Sequence, residues 1–218
     1  MNKKPTYRVG ESGFHGRMYE HLRGVPENNS KGPDLPNQQV ELKSKKRGSG
    51  TKITLLTRAP MYDTHDEICS WHNFRDKYKN ETERFYSTMK YNSPNNLGLY
   101  LRLSEDEELL FIRHIKEDMP IARWDVGELL SGASEKLANM DFAVLDMDEE
   151  KICKEVSYEG FQAKKFIELL LAGDIVVDTR MRGVFGGKPA KNRGTAFRAP
   201  ESKLVKLYEK SKERTPFA

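Results

Sequence analysis

Hydrophobic positions along this chain change period several times, and each change marks an element. Phe14, Met18 and Leu22 recur every fourth residue, with Ser12 before them as a cap and Gly24 after them as a stop; this predicts a helix over Ser12–Arg23. The polar, turn-rich stretch PENNSKGPDLPNQ follows. Alternation then predicts strands over Gln39–Lys45 and Lys52–Thr57, joined through Gly48, Ser49 and Gly50. From Ala59 to Asn80 the chain is polar and aromatic without a usable period. Antiparallel strands fit Arg84–Tyr91, Gly98–Leu103 and Glu108–Ile115, with NSPNN and SEDE as the turns between them.

A helix is predicted over Trp124–Asn139, then strands over Phe142–Met147 and Ile152–Ser157. Phe161–Ala172 is apolar at helical spacing, Gly173 ends it, and DIVVDTR begins another strand. The segment APESKLVKLYEKSK reads as a final helix with Pro200 near its start. There is no internal repeat and no visible linker. The pattern is a mixed α/β (α+β) chain.

At 218 residues the chain is long enough for one large domain, or for one domain with a small lobe. Its 37% hydrophobic content is too high for a disordered chain, and its 32% charged content means a heavily charged surface. A formal net charge of +4 permits a polyanionic partner without requiring one, so the placement of the cations matters more than their sum. The two cysteines, Cys69 and Cys153, lie far apart, which argues against a disulfide scaffold and for a reducing compartment. The N-terminal MNKKPTYRVGESG lacks the apolar centre of a signal peptide, and no apolar run approaches the roughly 18 residues that span a bilayer. The expectation is a soluble, cytoplasmic protein with no membrane partner.

The chemistry begins at GPDLPNQQVELKSKK. On a strand, Val40 and Leu42 face one way and Glu41 and Lys43 the other. Asp34 precedes the strand in a loop stiffened by Pro33 and Pro36, from which it can fold back toward Glu41. Two converging carboxylates form an oxygen site suited to Mg²⁺, and Lys43 beside them would offset charge developing on an attacked phosphate. The bland reading is a polar turn running into a solvated strand. The upstream helix shifts the balance: Glu20 lies on the face of Gly16, away from the apolar stripe, and adds a further acid. Gly16 would allow close approach of a strand or of DNA backbone.

With GFHGRMYEHLRG leading into GPDLPNQQVELKSK, this arrangement resembles the PD-(D/E)xK nuclease core. It is closest to the branch holding the mismatch-repair endonuclease MutH and the MvaI/BcnI restriction endonucleases. The resemblance implies a restriction-endonuclease-like core, a mixed central sheet flanked by helices, with residues 10–58 as its catalytic region. It implies Glu20, Asp34, Glu41 and Lys43 as catalytic residues: Asp34 and Glu41 bind the metal, with Leu42 as a third metal-binding position. Lys43 is then the catalytic lysine and Glu20 the helix carboxylate.

A second segment, DTRMRGVFGGKPAKNRGTAFRAP, carries Arg180, Arg182, Lys188, Lys191, Arg193 and Arg198 with no acid between Asp178 and Glu201. Its glycines and Pro189 predict a loop in the middle. Arginine forks pair with guanine edges or phosphates, and Asp178 could accept from a cytosine amino group; the bland reading is a solvated basic hairpin. A phosphate-binding P-loop is excluded, because Pro189 stands where a serine or threonine should be. The DTR strand, RGTAFR and a closing helix resemble the recognition region of the MvaI/BcnI branch, which marks residues 174–200 as DNA-binding. His65, Cys69 and His72 lack a second ligand pair for zinc; His15 and His21 read as surface histidines, and Trp71 and Trp124 as core anchors. SEDEE and DMDEE read as solvated turns.

The expectation is a type II restriction endonuclease of the MvaI/BcnI kind. It would hydrolyse phosphodiesters in double-stranded DNA with Mg²⁺, at a short GC-rich site, as a monomer with a companion methyltransferase. A MutH-like repair nickase and a catalytically inactive sequence-specific DNA-binding protein are the alternatives.

Overall fold

The opening helix forms where the pattern places it, but it turns a different face inward. In a computed structural model describing residues 13–26, 32–63, 84–184, 188–192 and 195–215, α1 covers Phe14–Leu22, with Gly13 at its N-cap and Gly24 in the left-handed region after it. Phe14, Met18 and Tyr19 are buried, whereas Leu22 is 48% exposed. The buried stripe therefore swings toward Tyr19, whose hydroxyl bonds the buried Glu155 carboxylate. Ser12 lies outside the described residues.

In chain order, β1 spans Val40–Lys46, β2 Ile53–Thr57, β3 Tyr62–Asp63, β4 Arg84–Met89, β5 Leu99–Leu103, β6 Leu109–His114 and β7 Glu117–Asp125. Helix α2 (Val126–Leu137), β8 (Asn139–Asp146), β9 (Lys151–Phe161), α3 (Ala163–Leu171), β10 (Val176–Val184), β11 (Lys188–Asn192) and β12 (Ala196–Ala199) follow. The chain ends in α4 (Glu201–Leu204), a 3₁₀ turn (Val205–Leu207) and β13 (Tyr208–Arg214). The residues form two compact units.

The first unit takes in the chain up to Ile53, Gly132–Ala163 and the part from Pro200 onward. Its sheet runs β1-β8-β9-β13: β1 is parallel to β8, and the other pairs are antiparallel. On one face α1 packs Phe14, Met18 and Tyr19 with Leu42, Ala143, Leu145 and Ile152. A buried polar set crosses that face. Arg23 bonds Asp141 at 2.8 Å and Glu155 at 2.7 Å, Ser157 Oγ donates to Asp141 at 2.6 Å, and Arg214 lies 3.2 Å from Asp141. The predicted final helix stops at Leu207, and YEKSKER becomes β13. Its backbone pairs with the edge of β9, and the Tyr208 ring lies 5.3 Å from Tyr158 and 5.8 Å from Phe161. Tertiary pairing overrides the helical propensity of a lysine- and glutamate-rich segment here.

The second unit holds Thr54–Ser131 and Lys164–Ala199. An antiparallel sheet, β3-β7-β6-β5, contains β7, which the sequence pattern does not reveal because Pro120 interrupts a run of mixed polarity. The other sheet runs β11-β10-β12-β2, with β4 also on β10. Thus β4 does not pair with β5 as the turn signals predict, and β1 and β2, adjacent in sequence, belong to different sheets. Part of the predicted basic loop is strand β11; Pro189 is tolerated in it because β11 is an edge. Trp124 is a core anchor: it meets Phe197 edge-on at 5.7 Å, and its indole N–H donates to the Arg58 carbonyl at 3.1 Å. The acidic residues of SEDEE are exposed, as expected, and so are Asp148, Glu149 and Glu150 of DMDEE.

Candidate active site

A tight reversal brings Asp34 to the strand. The 3₁₀ turn at Pro36–Gln38 and Gln39 at φ 52° fold the chain back, and Leu35 and Val40 exchange backbone hydrogen bonds at 2.9 and 3.2 Å. One residue before that pair, Asp34 accepts from the Leu42 amide at 2.9 Å through Oδ2. β1 is an edge strand, so this amide has no strand on its outer side and the carboxylate takes its place. Leu42 itself points into the core under α1, which leaves only its main chain for a metal.

Glu41 and Lys43 share the opposite face, as alternation requires. Glu41 is 1% exposed, and its Oε1 meets both Lys43 Nζ and, at 3.2 Å, Lys136 Nζ. Lys136 stands in the last turn of α2 and also donates to the Gly32 carbonyl at 3.3 Å, so it ties Glu41 to the loop carrying Asp34. Glu20 faces the same group of charges. Burial, then the Asp34 carboxylate, and more weakly Glu41, push its pKa up, while Lys43 and Arg17 draw it down. Among the described residues, a Cβ built on Gly16 would meet only Glu20 Oε1, at 4.0 Å, so no described strand packs there. The predicted quartet of Glu20, Asp34, Glu41 and Lys43 is thus assembled around one strand edge.

Glu41 Oε2 is buried without a hydrogen-bond partner. An unpaired buried carboxylate oxygen is costly, and a hard cation with oxygen ligands is the partner that suits it. Asp34, Glu41 and the Leu42 carbonyl offer such ligands. Among the described residues no cluster of three or more metal-ligating side chains is gathered, so the donor set rests on two carboxylates and backbone.

The recognition candidates lie in the second unit. Asp178 on β10 accepts from Thr88 Oγ1 at 2.6 Å and from Arg198 at 2.7 Å, so both its oxygens are engaged and Arg198 is held in place. Arg180 and Arg182 follow at alternate positions of β10, and Lys188 and Lys191 lie on β11, where Lys191 pairs with Arg182 in register. Arg193 lies outside the described residues, as do His65, Cys69, His72 and Trp71. His15 is half-buried, and burial lowers its pKa; His21 is exposed.

Sequence reasoning missed Lys136 and Tyr208. Lys136 reads as an ordinary solvated helix position, and Tyr208 as part of a helix. The Tyr208 hydroxyl is buried without a partner, and burial together with the Glu41 charge pushes its pKa far above the usual phenol range. Neither signal is local in sequence.

The structural match to a complex of the restriction endonuclease MvaI with its cognate DNA substrate has a TM-score of 0.75 at 20% identity; it covers 94% of this chain and 89% of that one. MvaI in the absence of DNA matches with a TM-score of 0.57 at 17% identity, covering 90% and 83%. No curated protein matches in sequence. The model of the MvaI/BcnI restriction endonuclease family matches residues 3–208, nearly the whole chain. The chain therefore belongs to the MvaI/BcnI restriction endonuclease family and is a type II site-specific deoxyribonuclease.

Proposed function

We propose that this enzyme uses Mg²⁺ to hydrolyse both strands of double-stranded DNA at a short GC-rich, nearly palindromic site. It would act in the cytoplasm as a monomer, beside a methyltransferase that protects the same site. The observation that carries the reading is Glu41: a buried carboxylate with one oxygen held by Lys43 and Lys136 and the other without a partner, next to Asp34. Asp34, Glu41 and the Leu42 carbonyl would hold the ion, which supplies Lewis-acid polarisation of the scissile phosphate and a water of lowered pKa. Lys43 would orient the attacking water and offset charge developing on the scissile phosphate. Lys136 fixes Glu41 against the Gly32–Asp34 loop, and Glu20 orients the attacking side. Residues 10–58 are the catalytic region of a single nuclease domain, and residues 174–200 its recognition region. There Arg180, Arg193 and Arg198 read or frame bases, Asp178 braces Arg198, Arg182 adds to DNA binding, and Lys188 and Lys191 hold phosphates.

Purified protein incubated with plasmid and Mg²⁺ should give discrete fragments, and sequencing their ends gives the recognition bases and cut positions. Nicking that needs an added activator protein, or binding without cleavage, would overturn the reading.

A further inference from the structure

β1 does not stop carrying charge at Lys43. Lys45 follows two residues later on the same face, and at the rise of a strand the two positions are ~6.6 Å apart, comparable to one phosphate-to-phosphate step along a nucleic-acid strand. Lys45 opens into a cleft of 520 Å³ in the first unit, lined among others by Ser49, Thr51, Lys154, Tyr158 and Glu201. Inside it, Glu201 lies 2.5 Å from Lys45 and 3.6 Å from Lys154. Two cations share a single carboxylate, so the cleft keeps a net positive charge. Its other polar groups include hydroxyls, which donate readily to anionic oxygens; burial and the Glu201 charge push the Tyr158 phenol up to about 12, so it stays a neutral donor at working pH.

We infer that this cleft binds the DNA backbone phosphate next to the scissile one, with Glu201 holding the two lysines in place until DNA displaces it. The inference rests on the nuclease reading above and extends its DNA track along β1. Glu201 occupies the lysines as a phosphate would, with one negative charge and oxygen acceptors. Exchanging it for the backbone fixes the strand's register one nucleotide from the Glu41–Lys43 face.

The test is fluorescence anisotropy with a cognate and a scrambled duplex over a salt series, in chelator so that nothing is cut. Lys45→Gln and Lys154→Gln should each weaken binding to both duplexes alike and flatten the dependence of log affinity on log salt by about 0.9. Glu201→Gln should tighten binding to both and steepen that dependence. Lys154 is 45% exposed, so its variant tests the cleft even if Lys45→Gln folds poorly. Unchanged slopes in both lysine variants, losses confined to the cognate duplex, or weaker binding by Glu201→Gln would each overturn the proposal. Plasmid digestion by the wild type, run alongside, separates the two readings: discrete cutting with unchanged slopes sinks the cleft alone.

Discussion

At Glu20 the charges of the site work against the stability of the fold. Its folded pKa is raised above 4.5 by burial and by Asp34, so its stabilising contribution is full below the unfolded value and is lost as pH rises through the folded one. Glu20→Gln should therefore raise the melting temperature at pH 7 in chelator, and the gain should shrink toward pH 4. An equal gain at both pH values would remove the crowding explanation. Activity runs the other way: Asp34→Asn and Lys43→Ala should each cut the cleavage rate by about a thousandfold or more, roughly 4 kcal/mol of barrier, with the fold retained. Near-normal cutting by Lys43→Ala would show that the chemistry lies elsewhere. The quartet was legible because three of its members sit within ten residues of chain and alternation fixes their faces. Lys136 was not, because only the folded path of α2 brings it to Glu41.

Elements extend the same contrast. Arg23 leaves α1 to bridge Asp141 and Glu155, both almost completely buried. Removing one partner of such a set strands the other charges, so Arg23→Ala should lower unfolding free energy by about 3–5 kcal/mol in a urea titration. A loss under about 1 kcal/mol would mean that Arg214 alone compensates Asp141, and water Glu155. In the proposed recognition sheet, removing a base-reading arginine should cost about 1–3 kcal/mol on the cognate duplex and relax preference there. Equal losses on cognate and scrambled DNA for every arginine variant would reduce β10–β12 to a nonspecific patch. Most helices and strands were legible from period alone. β13 was not, since its seven residues carry the composition of a helix and owe their extension to the edge of β9. β4 was legible as a strand, but its partner β10 was not, since turn chemistry marks a reversal without naming the partner strand.

For the whole molecule, one proposed quartet per chain would mean one strand cut per docking. With supercoiled plasmid at limiting enzyme, a monomer should accumulate open circles before linear product, and sizing of the DNA complex should give one protein per duplex. A two-to-one complex converting supercoil directly to linear would require a symmetric dimer instead.

The sheet that carries Glu41 is assembled from three separated stretches of chain, and its last strand, Tyr208–Arg214, lies far downstream of Glu41. A ribosome releases Glu20, Asp34, Glu41 and Lys43 well before the strand that closes β9, which emerges more than a hundred residues later. Nascent and prematurely stopped chains thus carry the whole proposed catalytic quartet on an unfinished sheet. A chain terminated at Leu207 should leave plasmid intact, and a cell making this enzyme is spared cutting by its incomplete copies.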